Sequence, residues 1–206
     1  MAMIAAFDVH YPSDGGASGA AVLFRDYRDA APAAELNRFL PHAAAYVPGE
    51  FFRRELPCIL ALLALIHPPP SAMIVDGYVM PGGRPGLGLR LFEAAGRAIP
   101  VMGVAKSPFD GGRGSCTERE GAGGSGRGVV AVFRGGSRRP LYVTAAGMDV
   151  RRAALNLQVM HGPHRIPTLL RRVDALARTA CGGASGAGRQ SSRTPRAAVS
   201  SDARMP

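Results

Sequence analysis

Lysine is all but missing from this chain of 206 residues: of its 25 lysines and arginines, only Lys106 is a lysine. A bias that strong had many opportunities to convert position 106 and did not. The question it raises is what a compact ammonium does there that a planar guanidinium could not. Cysteine is scarce too. Cys58, Cys116 and Cys181 are widely spaced, odd in number and form no CxxC pair. That excludes a disulfide framework and a thiolate zinc site, and fits a reducing, cytoplasmic setting. Long apolar runs are lacking, and the longest, Cys58 to Ile66, is too short to cross a bilayer. The opening MAMIAAFDVHY has neither the basic n-region nor the apolar stretch of a signal peptide. No internal repeat is visible. No P-loop or clean GxGxxG follows a strand, so a nucleotide cofactor has no support.

What the chain does have is positive charge, +10 in net formal terms. This suggests a polyanionic partner without identifying one. Part of it lies in CGGASGAGRQSSRTPRAAVSSDARMP, residues 181–206, where Arg189, Arg193, Arg196 and Arg204 outweigh Asp202 by +3, leaving +7 elsewhere. That stretch has too little apolar bulk to offset its ordering entropy. It reads as a disordered basic tail behind one domain, residues 1–180, and a monomer is expected.

Two apolar runs, residues 3–8 and 18–24, flank the turn Ser13-Asp14-Gly15-Gly16 and read as an opening hairpin. After a segment of mixed pattern, Leu60, Leu63 and Ala64 repeat at helical spacing. With Pro57 at the first helical position, this predicts a helix over 57–66, stopped by Pro68-Pro69-Pro70. Strands follow at 72–76, 99–105, 129–134 and 140–145, with a helix through about Arg97 and closing helices at 149–160 and 167–179. The glycine-rich stretch 110–128 reads as a long loop. Strands alternating with helices after a hairpin imply an α/β layer architecture.

Asp8, Asp76 and Lys106 stand at the carboxyl ends of three of these strands, where open α/β sheets bind ligands. If strands 3–8 and 72–76 are neighbours, the two carboxylates lie side by side and must share a proton or take up a cation. Oxygen donors with no histidine or thiol nearby favour Mg²⁺ or Mn²⁺. The alternative is that each aspartate merely caps a turn or the next helix. Glu55, two residues before Pro57, has the plain reading of an acid at a helix start. Asp174 borders the apolar stripe Leu170, Val173 and Ala177, and either pairs with Arg171 or Arg178 or points into a site. His10, His42, His67, His161 and His164 form no metal-ligand spacing and read as surface or loop residues.

In this order, FDVHY, YVPGEFFRRELP, IVDGYVMPGGRPGLG, IPVMGVAKS, PLYVTA and HRIPTLLRRVDAL resemble the endonuclease V family, deoxyinosine-specific nucleases with an RNase H-like fold. The resemblance covers nearly all of residues 3 to 178. It implies an RNase H-like mixed sheet flanked by helices. It also implies a metal-dependent endonuclease cutting on the 3′ side of inosine in DNA or RNA, in repair, with Mg²⁺ or Mn²⁺ as cofactor. On the matching motifs, Asp8 and Asp76 are the metal-binding aspartates and Glu55 the catalytic glutamate of FRE, within reach of the metal. Asp174, seven residues after Pro167, is the last acidic position, and Lys106 neighbours the scissile phosphate. Tyr46, with Pro48, is the wedge that fills the gap left by an extruded base. Gly49, Gly77, Gly82 and Gly83 shape the base pocket. Arg53, Arg54, Arg138 and Arg139 are candidates for phosphate contacts.

Two departures mark a divergent branch. Tyr78 and Gly82 stand where the family has histidines that help bind the cleaved strand, and the matched motifs begin at the first strand, without the family's usual N-terminal helix. A competing reading is therefore a nucleic-acid-binding protein of the same fold with impaired catalysis. A junction resolvase of related fold would share the acids but have no use for YVPG.

Overall fold

The computed structural model describes residues 2–13, 15–41, 50, 52–109 and 128–179. Tyr46, Pro48, Gly49, His42, most of the 110–128 loop and the tail 181–206 lie outside the described residues. The strands are β1 Ile4–His10, β2 Ala17–Phe24, β3 Ala34–Leu40, β4 Ala72–Asp76, β5 Val101–Ala105, β6 Val130–Val132 and β7 Leu141–Ala146. Among the described residues the helices are α1 Phe52–Leu63, α2 Leu87–Ala94, α3 Val150–Val159 and α4 Thr168–Thr179, with a 3₁₀ turn at Pro81–Gly83.

All seven strands join one mixed sheet in the order β3-β2-β1-β4-β5-β7-β6. The central trio β1, β4 and β5 is parallel, and the flanking pairs are antiparallel. The parallel strands are buried on both faces and read as continuous apolar runs, as such strands must. Alternation then assigns the faces. Ile4, Ala6, Ile74, Met102 and Val104 pack toward α3 and α4, and Ala5, Phe7, Met73, Val75 and Val101 toward α1 and α2. The α/β expectation is met, with helices on both faces.

Three expectations need correction. β3 falls in the segment read as mixed pattern. It pairs with β2 over its whole length, but as an exposed edge strand with Glu35, Arg38 and a half-exposed Phe39 it carries no apolar alternation to notice. Helix α1 begins at Phe52, so Pro57 lies inside it instead of opening it. Proline there removes the bond to the carbonyl of Arg53 and crowds that carbonyl with its ring, and the burial of Cys58, Ile59 and Leu62 holds the helix together despite that cost. Helix α2 stops at Ala94, where Gly96 and Arg97, both at positive φ, turn the chain.

Candidate active site

Parity along the strands builds the site. Asp8, Asp76 and Lys106 follow the even-numbered residues of β1, β4 and β5, so they emerge on the face covered by α4, at the carboxyl ends of three adjacent parallel strands. The β1–β4 register sets Phe7 opposite Val75, which puts Asp8 level with Asp76. Asp174 comes from the exposed border of α4, one residue past the buried Val173. Glu55 arrives from the other face, in the first turn of α1. These five side chains line one open cleft of about 780 Å³, together with His10, Phe52, Tyr78, Arg84, Phe109 and Arg178.

The electrostatics are those of crowded carboxylates. Asp8 is pushed up to about 7, first by burial, then by Asp76 and to a lesser extent Asp174. The hydrogen bond from the Val9 amide to Asp8 Oδ1 (2.9 Å) and the charge of Lys106 only partly offset this. The carboxylates of Asp8, Asp76 and Asp174 also border a small pocket of about 80 Å³ whose lining is largely apolar, with Ile74, Val104, Leu141, Leu170 and Val173. Glu55 is likewise pushed up to about 7 by burial and by Asp8 and Asp76. Asp174 is held below the usual carboxylate range, chiefly by its bidentate bond with Arg178 at 3.0 and 3.1 Å. The two alternatives for Asp174 are thus both realised: it pairs with Arg178 and belongs to the cluster.

Lys106 Nζ donates to Asp76 Oδ2 at 2.6 Å, with both side chains over 40% exposed (44% and 41%). Burial opposes its charge, but the bond to Asp76 and the field of Asp8 and Asp174 outweigh that and raise it above the ordinary lysine value. The ammonium sits within the acidic cluster.

The glycine-rich loop after β4 divides. Gly77, at φ +104°, makes the turn that carries the chain from Asp76 into the cleft wall, a conformation that disfavours any side chain. Gly82, at φ +55°, lies under Phe109, whose Cε1 would stand 2.7 Å from an added Cβ. Gly83 lines a separate, smaller pocket with Val129 and Thr144. Tyr78 donates to the Ser107 carbonyl (2.8 Å) and meets the Phe109 ring edge-on at 6.1 Å. The two positions that depart from the family pattern are thus joined through one aromatic residue.

Of the candidate phosphate contacts, Arg54 is stacked on Tyr11 (3.8 Å) and Arg53 is paired with Glu50, while Arg138 and Arg139 are exposed. Sequence reasoning missed Phe109 and Arg84, which carry no motif signal, and named Arg178 only as a possible partner for Asp174. It also missed His10, which had one: it lies two residues beyond Asp8 in a strand, and so on the same face.

Residues 1–175 match the family model for endonuclease V. The chain is 31% identical to the endonuclease V of Streptomyces coelicolor over 182 residues, covering 84% of this chain and 76% of the relative. It is 32% identical to that of Streptomyces avermitilis, covering 82% of each. The crystal structure of the S. avermitilis endonuclease V superposes with a TM-score of 0.66 at 28% identity, over 87% of this chain and 81% of that one. The Ciona intestinalis endonuclease V (D234N), solved with a 23mer DNA containing an inosine followed by a ribo-adenosine, shares the fold at TM-score 0.68 and 15% identity. It covers 86% of this chain and 84% of that one. By sequence and by fold, the chain belongs to the endonuclease V family, endonucleases with an RNase H-like fold.

Proposed function

We propose that the chain hydrolyses a phosphodiester bond on the 3′ side of inosine in a nucleic-acid strand, in a repair role, with a divalent cation bound at Asp8 and Asp76. The observation that carries this is the convergence, in one cleft, of four carboxylates and the chain's single lysine. A protein that only binds nucleic acid has no use for carboxylates that repel both one another and the phosphates.

The donor set suits Mg²⁺ or Mn²⁺: every donor is a carboxylate oxygen, and Asp8 and Glu55 are pushed up to about 7 by burial and by the neighbouring carboxylates, a repulsion that a bound cation would relieve. Among the described residues no three ligands yet surround one point. Asp8 and Asp76, level in adjacent strands, are therefore the anchors, and Glu55 is the third ligand or orients the attacking water. A cation so held supplies charge at the phosphoryl oxygen and lowers the pKa of bound water.

The protein's own groups do the rest. Lys106, 2.6 Å from Asp76, places an ammonium where charge develops on the phosphate. Asp174, fixed by Arg178, completes the acidic wall. Gly77 and the aromatic pair Tyr78–Phe109 form the side of the cleft open to an extruded base. Tyr46, Pro48 and Gly49 complete the wedge and pocket in this reading, and residues 1–180 form the catalytic unit.

The test is cleavage of a labelled single strand carrying one inosine, with Mg²⁺ or with EDTA. A 3′-side nick, lost with EDTA and reduced at least about a hundredfold in Asp76→Ala, is the expected result. One observation favours the second reading, binding without cleavage: Phe109 occupies the space over Gly82 where the family has a histidine. Retention of the inosine strand with no metal-dependent nick would establish that reading instead.

A further inference from the structure

We infer that Arg165 is a positioning residue that fixes Lys106 from behind. The hydrogen-bond ladder between β5 and β7 ends at Ala105 opposite Tyr142. The carbonyls of Lys106 and of Pro140, just before β7, therefore lie beyond the last paired residues. A single nitrogen, Arg165 Nη2, donates to both, at 2.7 Å to Pro140 and in close contact with Lys106. The backbone that carries the ammonium is thereby clamped to the adjoining strand.

The clamp is itself held. Arg134, 7% exposed, donates through Nη1 to the carbonyls of His164 (3.2 Å) and Arg165 (3.3 Å), and through Nη2 to Met160. Arg165 also lies three residues before Thr168, where α4 begins and leads to Asp174. One guanidinium therefore joins the strand end bearing Lys106 to the segment that launches the helix bearing Asp174. Arg165 Nη2 carries two N–H bonds, one for each carbonyl.

The inference rests on the proposed role of Lys106 beside the phosphate, and the experiment separates the two. Single-turnover cleavage of the inosine strand is compared in the full chain, Arg165→Met, Arg165→Lys, Lys106→Ala and the double variant Arg165→Met/Lys106→Ala, each with its melting temperature. Arg165→Met should slow cleavage about tenfold, yet less than about twofold when Lys106 is already alanine, because groups acting through one another are not additive. Arg165→Lys should recover part of the rate.

A second readout uses the chain's single lysine. With ¹³C-lysine incorporated, one side-chain resonance reports Lys106, and it should move in Arg165→Met. Equal losses in both backgrounds, or an unmoved resonance, overturn the inference alone. Wild-type cleavage by Lys106→Ala overturns the role of Lys106 and the inference with it. If Arg165→Met does not fold, Arg165→Lys carries the same additivity comparison.

Discussion

The ammonium of Lys106 forms a 2.6 Å bond to Asp76 and feels Asp8 and Asp174 besides. Arginine at that position keeps the charge but spreads it over a planar fork, which cannot enter a space already bounded by three carboxylates. Lys106→Arg should leave the melting temperature unchanged and slow inosine-strand cleavage by about tenfold or more; full activity in the folded variant would remove the reason for this lone lysine. Gly82 offers a separate test. Its positive φ and the 2.7 Å approach of Phe109 together should make Gly82→Ala destabilising by about 1–2 kcal/mol. In a Phe109→Ala background only the backbone strain remains, so the cost should fall measurably by denaturant titration. Equal costs in the two backgrounds would mean that Phe109 does not fill that space. The sequence could show Gly82 as a departure, but not its partner: residues 82 and 109 meet only once the β4–α2 loop and the β5 end are folded together.

Helix α1 positions Glu55 through its buried side, and Leu62, fully buried beside Cys58 and Ile59, anchors that side to the sheet. Leu62→Ala should cost about 2–4 kcal/mol, read as a lower denaturation midpoint. A cost below about 1 kcal/mol would show that α1 is not held through this contact. The same helix shows what could be read in advance. Its apolar spacing was legible, but its start was not, because a proline at the first position and a proline five residues in look alike until burial decides between them. Strands β1, β4 and β5 were legible as apolar runs ending beside ionisable groups, because a parallel strand buried on both faces leaves that signature. Edge strand β3 leaves none. The side-by-side placement of Asp8 and Asp76 was legible only as a condition on strand order. The sheet meets that condition through the β1–β4 pairing.

Across the whole molecule, the crowded acids link stability to pH and to cation binding. Asp8 faces Asp76, Asp174 and Lys106, and Glu55 faces Asp8, Asp76 and Arg54; both carboxyls titrate near 7 in the fold, against about 4 in an unfolded chain. Between those values the folded state binds more protons than the unfolded one, so stability falls as pH rises from about 4 to about 7 and stays at the lower level above that. A divalent cation requires the deprotonated carboxylates, so protons compete with it below about 7 and not at pH 8. Saturating Mn²⁺ at about 100 times its dissociation constant should raise the melting temperature at pH 8 by about 5 °C, and by distinctly less at pH 6. Asp8→Asn, which removes one charge without changing shape, should melt higher than the parent at pH 8 without metal and lose most of the Mn²⁺ response. A Mn²⁺ shift as large at pH 6 as at pH 8, or one retained in Asp8→Asn, would mean that the ion binds elsewhere and that these acids serve another purpose. The measurement needs no substrate, so it tests the proposed metal site independently of whether this divergent member of its family still cuts inosine strands.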